Sequence, residues 1–389
     1  MRILELIDVR WWNACAYYAV ELARGLRAAG DEVVVAGGPL SPPVERARAA
    51  GLEVWGWQAF DERRPLRALA GLPRFVRELE RRRFDVIDAH RAPGQVWAAL
   101  ATLRQGGPPL VRTRGDVRPP RRHRLERWLQ RRRTAAHVVP SRFMQRAVVE
   151  RLGIDPARVH VVPAGIDVEH FAPGEHGGVA WRARYGIPRE APLVAVVARL
   201  SPVKGHRVLL EALARSPVAG IAHVCFGGQQ EEVAVVDLER RAQALGLGER
   251  LHCVGRLDDV RPLLAAADLV AIPSLGSEAI CRVLLEAMAM GRAVVASRVG
   301  VIGEVAVDGI TGTVVAPDDV DALAAALGAL LTPWPAARAR LRGLGEAARA
   351  RAVAEYALSR WVGRTRQVYA TVCARSLRGA VPAASRGET

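Results

Sequence analysis

The sequence predicts an α/β protein made of two Rossmann-like, doubly wound domains facing across a cleft. Short β-branched runs alternate with amphipathic helical stretches along the chain, the signature of βαβ units. A Pro/Gly-rich break, VPAGIDVEHFAPGEHGG, interrupts that alternation near the middle. A length of 389 residues also exceeds what one core usually supports.

In the first half, strands are expected at residues 2–8, 32–36, 84–88, 110–113, 137–139 and 159–162. A helix at 16–29 ends at Gly30, a usual helix stop. Residues 163–178 read as a linker, after which strands are expected at 193–198, 222–226, 250–254, 269–272, 293–296 and 313–315. Beyond Pro335 the pattern is helical to residue 375, and SLRGAVPAASRGET reads as a frayed tail. The expected division is a first domain over 1–168, a second over 179–353, a closing helix over 354–376 and a tail over 377–389.

Half the residues are hydrophobic and a quarter charged, which excludes a disordered chain or a collagen-like fibre. The longest uncharged stretch, 322–337, contains Pro333 and Pro335 and falls short of the roughly 20 apolar residues a membrane span needs. Charges at Glu5, Asp8 and Arg10 leave no apolar signal-peptide core, so a cytoplasmic protein is expected. Cys15, Cys225, Cys253, Cys281 and Cys373 are widely spaced and suggest neither a disulfide framework nor a zinc site.

The net charge of +16 is unevenly spread: +11 over residues 1–170, zero over 171–350 and +5 over the last 39. Arginine clusters at 81–83, 121–124 and 131–133 lie in RPLRALAGLPRFVRELERRRF and RRHRLERWLQRRR. Their apolar residues could enter a lipid interface while the arginines meet anionic head groups; a solvated helix face is the alternative. Of 56 basic side chains, 55 are Arg and one, Lys204, is Lys.

In open parallel sheets, ligands bind beyond the C-terminal ends of the strands. After the strand at 193–198 comes ARLSPVKGH, where Arg199 and Lys204 flank a helix start and suit a diphosphate. A second loop, SLGSEAICRVLLEAMAMG, holds Glu278 and Glu286; carboxylates repel phosphates, so these suit sugar and ribose hydroxyls. In FGGQQEE, Gly227 and Gly228 permit close backbone approach to a ligand.

The ordered set R-L-S-P-x-K-G, G-x-L-x-D-V-x-x-L-L-x-x-A-D-L, P-S-x-x-S-E-x7-E-A-M-A-x-G-x-x-V-V-A-S and E-V-x-x-D-G-x-T-G resembles glycosyltransferase family 4. These are retaining, "group 1" enzymes of the GT-B fold, associated with cell-envelope polysaccharide synthesis. The resemblance runs over about residues 24–369 and is most specific over 199–312. It implies that Arg199 and Lys204 bind the donor diphosphate, Glu278 contacts the donor sugar and Glu286 the ribose. It also places Arg256 near the base and the segment Ala279, Ile280, Cys281 and Val283 against the donor. Arg199, Lys204 and Glu278 are the expected catalytic residues. The closing helix is expected to cross back onto the first domain.

The chain departs from the family pattern in three places. The usual Gly-Gly loop after the first strand reads DVRWWNACAYYA, where Arg10, Asn13, Trp11 and Trp12 are the candidate substitutes. The usual histidine after the strand at 110–113 is replaced by TRGDVRPP, which offers Arg114 or Asp116. E-G-F-G becomes EAIC. His90, at the end of the strand at 84–88, is an acceptor-side candidate whose expected role is that of a hydrogen-bonded structural residue. Asp319 and Asp321 read as helix caps rather than metal ligands, so no metal and no cofactor is expected. The expected partners are a nucleoside-diphosphate sugar, a glycan or lipid-linked acceptor and an anionic membrane surface, with the protein peripheral on the inner face of the cytoplasmic membrane and no nucleic acid bound. The alternatives are a same-fold epimerase or phosphorylase, a basic nucleic-acid-binding protein and a catalytically silent sugar-binding protein.

Overall fold

The computed structural model describes residues 1–56, 65–103, 107–115, 124–276 and 278–380, with the backbone alone at 65–69 and 377–380. The chain divides into two compact units: Met1–Ala164 with the chain from Ser359 onward, and Gly165–Leu358. The expected linker falls at this division, and the chain returns to the first unit at Ser359.

The first unit contains β1 (Arg2–Leu6), α1 (Ala14–Ala28), β2 (Glu32–Ala36), α2 (Pro42–Ala49), β3 (Glu53–Trp55), α3 (Pro65–Arg82), β4 (Val86–Ala89), α4 (Ala92–Ala101), β5 (Leu110–Thr113), α5 (Arg124–Trp128), β6 (Ala136–Val139), α6 (Arg142–Leu152) and β7 (Val159–Val161). All strands pair in parallel, in the order β3-β2-β1-β4-β5-β6-β7. Because helices cover both faces, β4, β5 and β6 are buried along their whole length, even at the polar Asp88, Arg112 and His137. Asn13 caps α1 by accepting from the Ala16 N–H, and Ser141 caps α6 by accepting from that of Met144. The short β3 was not expected, since three residues cannot display a period-2 pattern.

The second unit contains α7 (Gly178–Arg184), β8 (Leu193–Val197), α8 (His206–Arg215), β9 (His223–Gly227), α9 (Val235–Ala244), β10 (Leu251–Gly255), α10 (Arg261–Ala266), β11 (Leu269–Ile272), α11 (Arg282–Ala289), β12 (Ala293–Ser297), α12 (Ile302–Val305), β13 (Gly312–Val315), α13 (Val320–Leu331) and α14 (Ala337–Tyr356). Its parallel order is β10-β9-β8-β11-β12-β13. Strand order reverses between β8 and β11, so the loops leaving these neighbours flank one crevice. Val194, Val196, Leu209, Leu210, Val224, Phe226 and Leu327 lie in its core.

The closing helix α15 (Leu358–Ala380) packs onto the first unit through the buried Trp361, Val362, Tyr369 and Val372. It runs past the expected end at 376; the rest of the expected tail, 381–389, lies outside the described residues. α3 is also a correction. Its Phe75 and Leu79 are buried in the core of the first unit instead of lying open to a lipid interface. In the second arginine-rich segment Leu129 is buried, while Leu125 and Trp128 are exposed.

Candidate functional site

The reversal between β8 and β11 brings the expected donor residues together. The chain leaves β8 through Arg199 and a 3-10 turn, Pro202–Lys204, and enters α8 at Gly205. Gly205 has φ +69°, and a Cβ there would stand 1.9 Å from the Pro273 carbonyl oxygen, so only glycine lets this turn lie against the loop after β11. The Leu275 N–H donates to the Val203 carbonyl at 2.8 Å, tying the two loops directly.

At that junction Lys204 Nζ lies 2.5 Å from Glu278 Oε1, and the Ser274 hydroxyl donates to the same oxygen at 2.6 Å. Glu278 and Ser274 are buried, and the Lys204 side chain is 16% exposed. The only lysine of the chain therefore faces one of the two expected carboxylates. His206, two residues on, is buried against Phe226, and both of its ring nitrogens lack hydrogen-bond partners among the described residues. Burial, reinforced by the Lys204 charge, lowers its pKa to about 4.

After Glu278, the buried Ala279, Ile280 and Cys281 lead into α11, with Val283 half-buried in its first turn. Cys281 takes φ +47°, ψ 64° at the N-cap, a left-handed conformation that glycine adopts without cost and a side chain does not. Burial, with Glu278 adding to it, raises its thiol pKa well above the usual value, so Cys281 is not a ready nucleophile. On α11, Arg282 pairs with Glu286 at 2.8 Å, the spacing of a helical i,i+4 pair. Glu286 is buried and its Oε2 has no hydrogen-bond partner among the described residues. Burial raises its pKa, Arg282 opposes the rise and Asp259 adds to it.

A cavity of about 190 Å³ opens beside this junction at the C-terminal ends of β8, β9 and β10, lined by Arg199, Gly228, Gln229, Arg256, Leu257 and Arg282, among others. Arg199 is held by Glu231 at 2.5 Å, and Arg256 lies 3.6 Å from Asp258 with both groups exposed. Three arginines thus border one cavity. Gly227 and Gly228 serve the protein's own packing: a Cβ on Gly228 would stand 1.7 Å from the Ala198 carbonyl oxygen, and one on Gly227 would stand 2.6 Å from Leu257. Both glycines also border the cavity. Arg282, Glu231, Gln229 and Ser274 were not among the residues singled out from sequence. Of these, the i,i+4 spacing of Arg282 and Glu286 was a usable signal. Asp319 caps α13 by accepting from the Ala322 N–H, and Asp321 pairs with Arg215.

On the first unit, Arg10 is exposed, Asn13 is engaged as the α1 cap, and Arg114 is 8% exposed. Asp116 lies outside the described residues. Trp12 stacks beneath the Arg46 guanidinium at 4.3 Å. His90 is 2% exposed and bonds Glu5 at 2.6 Å, inside a network that sequence reading did not assemble. Tyr369 of α15 donates to Glu5 at 3.1 Å or to Asp88 at 2.7 Å, and Asp88 also accepts from the Thr113 N–H and hydroxyl. Burial acts to lower the His90 pKa, but Asp88 and Glu5 outweigh it and raise it; burial pushes the Glu5 carboxyl up. Ligand atoms of Glu5, Asp88 and His90 lie within 4.8 Å of one another, yet the network supplies its own donors to both carboxylates. His90 is thus a buried, hydrogen-bonded member of this network.

The model for "Glycosyl transferases group 1" matches residues 179–351, and that for "Glycosyltransferase Family 4" matches residues 16–170. The D-inositol 3-phosphate glycosyltransferase of Mycolicibacterium paratuberculosis is 42% identical over 195 residues, covering 48% of this chain and 43% of that protein. The corresponding protein of Mycobacterium tuberculosis is 38% identical over 200 residues, covering 50% and 41%. The match spans less than half the length of these curated relatives. Among solved structures, a glycosyltransferase from Rickettsia africae superposes with TM-score 0.84 at 19% identity, covering 95% of this chain and 98% of its own. Anabaena HepE in complex with UDP superposes with TM-score 0.83 at 22% identity, covering 95% and 100%. These likenesses establish the GT-B fold. With the two family models matching its two halves in order, the chain belongs to the group 1, family 4 glycosyltransferases.

Proposed function

We propose that the protein transfers a sugar, with retention of anomeric configuration, from a nucleoside-diphosphate donor to a glycan or lipid-linked acceptor of the cell envelope. The observation that carries this reading is the meeting of Lys204, Glu278 and Ser274 at the β8/β11 reversal, beside a cavity bordered by Arg199, Arg256 and Arg282. The HepE structures with UDP and UDP-glucose support a nucleotide-sugar donor in a chain of this fold.

In this mechanism Arg199 and Lys204 stabilise the charge that develops on the leaving diphosphate. Glu278 accepts from a donor-sugar hydroxyl, and Glu286, whose Oε2 lacks a donor, accepts from the ribose. The bond between the sugar C1 and the diphosphate oxygen breaks, and C1 bonds to the acceptor hydroxyl oxygen on the same face. The acceptor proton passes to the leaving diphosphate. Positioning and fixed charge supply the catalysis, with no protein nucleophile and no metal.

The acceptor is proposed to be anionic and membrane-anchored, such as lipopolysaccharide core, because the basic excess lies at residues 1–170 and in the last 39. No described helix is long and apolar enough to cross a membrane, so attachment would be peripheral. Tighter retention on phosphatidylglycerol than on phosphatidylcholine vesicles at low salt is expected; equal retention would contradict the membrane reading.

The transfer reaction can be tested before the acceptor is known by supplying water in its place. With UDP-glucose and other nucleotide sugars in the presence of chelator, proton NMR at early times should show the released sugar in the donor's own anomeric configuration. An inverted product, or activity that vanishes in chelator and returns with manganese, would contradict the mechanism.

A further inference from the structure

A second pocket lies at the other end of the first unit's sheet. It has a volume of about 280 Å³ and is bordered by Leu110, which begins β5, by Thr134 and Ala135 ahead of β6, and by Arg158 ahead of β7. Arg132 and Arg133, from the segment after α5, and Ser376 on α15 complete its charged and hydroxyl lining. Ligand pockets usually start near 300 Å³, so this one suits a small head group.

Its electrostatics are one-sided. Arg158 donates to the carbonyls of Arg131, Thr134 and Ala135, and Arg133 donates to those of Thr102 and Ala99. These carbonyls orient the guanidinium groups without neutralising them. Neither Arg132, Arg133 nor Arg158 forms an ion pair among the described residues, and Arg132 makes no hydrogen bond there either. Arg375 on α15 adds a further positive charge felt by both Arg158 and His160. Among the described residues, the acidic group felt by Arg158 is Asp155, an exposed residue that caps the Ala157 N–H. The bordering residues contain no carboxylate.

Guanidinium groups held at fixed angles by carbonyls, with a free guanidinium and a hydroxyl beside them, match the tetrahedral array of phosphate oxygens. We propose that this pocket binds a phosphate group, separately from the donor diphosphate. The same chemistry is presented by inorganic phosphate and by a phospholipid head group.

The test uses the full chain at low salt, with Lys204→Ala to weaken phosphate binding at the donor residues. Inorganic phosphate is titrated by calorimetry into Lys204→Ala and into Lys204→Ala/Arg132→Glu, with equal ionic strength of chloride as the control. Arg132 is exposed and has no hydrogen bond or ion pair to lose among the described residues, so the second variant should fold like the first. Lys204→Ala should still bind phosphate, and adding Arg132→Glu should weaken it about tenfold or more, the effect of losing one charge-assisted contact. No phosphate binding by Lys204→Ala, or equal binding by both proteins, would overturn the proposal. Binding of phosphatidylglycerol vesicles by the parent and by Arg132→Glu identifies the source. A parallel loss assigns a lipid-borne phosphate, and unchanged vesicle binding alongside lost phosphate binding assigns a free one. UDP affinity, read on Arg132→Glu alone, should equal the parent's.

Discussion

Lys204 is the one lysine among 56 basic side chains, and its Nζ sits 2.5 Å from Glu278. Its singularity and its place after a strand made it legible from sequence, as did the two glutamates. The carboxylate partner of Arg199 was not legible: Glu231 lies 32 residues away, and only the β8–β9 pairing brings them together. His206 was also unmarked, because a histidine after a glycine carries no periodic signal. Its burial yields a testable pH dependence. Folding lowers its pKa from 6.5 to about 4, so the unfolded chain binds a proton that the folded protein refuses. Stability from this group is complete above pH 6.5 and falls as the pH drops towards 4, by about 1.4 kcal/mol per pH unit. His137, buried in the first unit with a pKa lowered to about 3, adds the same trend down to that pH. Urea unfolding at pH 7.5 and pH 5 should show the loss, and His206→Leu should make it shallower, leaving the share from His137. An unchanged slope in that variant would exclude the assignment.

At the scale of elements, strands with long apolar runs were expected within one or two residues of where they lie, because burial on both faces demands such runs. β3 was invisible at three residues, and α15 was expected to stop short of Ala380. More instructive is how α15 is held. Trp361 donates to the Tyr18 hydroxyl at 3.1 Å, and Arg366 pairs with Asp31 at 2.9 Å. Tyr369 reaches the buried Glu5 and Asp88. Partners separated by more than 280 positions in sequence have no local pattern to announce them. Tyr369→Phe removes the hydroxyl while keeping the ring. It should cost about 1–3 kcal/mol by leaving buried acceptors short of a donor, while UDP affinity stays unchanged. Calorimetric unfolding with a parallel UDP titration checks both, and an undiminished stability would show that the network does not hold the helix.

Over the whole molecule, the preference for Arg acquires a structural use. Arg349 donates to the carbonyls of Val168, Phe171 and Ala289, Arg182 to those of Ala266, Pro188 and Ala191, and Arg158 to three more. Several donors in a rigid plane let one side chain satisfy several chain ends, which an ammonium on a flexible stem does less well. These arginines are part of the scaffold, two of them in the neutral stretch 171–350 and Arg158 in the basic first half. The two-unit parallel architecture was readable because it rests on alternation along the entire chain. The choice of nucleotide was not, because it depends on a few contacts around the cavity beside Arg199. The direct measurement is calorimetric binding of UDP, GDP, ADP, CDP and dTDP to the parent protein and to Lys204→Ala. One preferred diphosphate, weakened about tenfold to a hundredfold in the variant, is the expected result for loss of a charge-assisted contact. Binding of none of the five by the parent, or equal binding by both proteins, would contradict the assignment of the β8/β11 junction as the donor site.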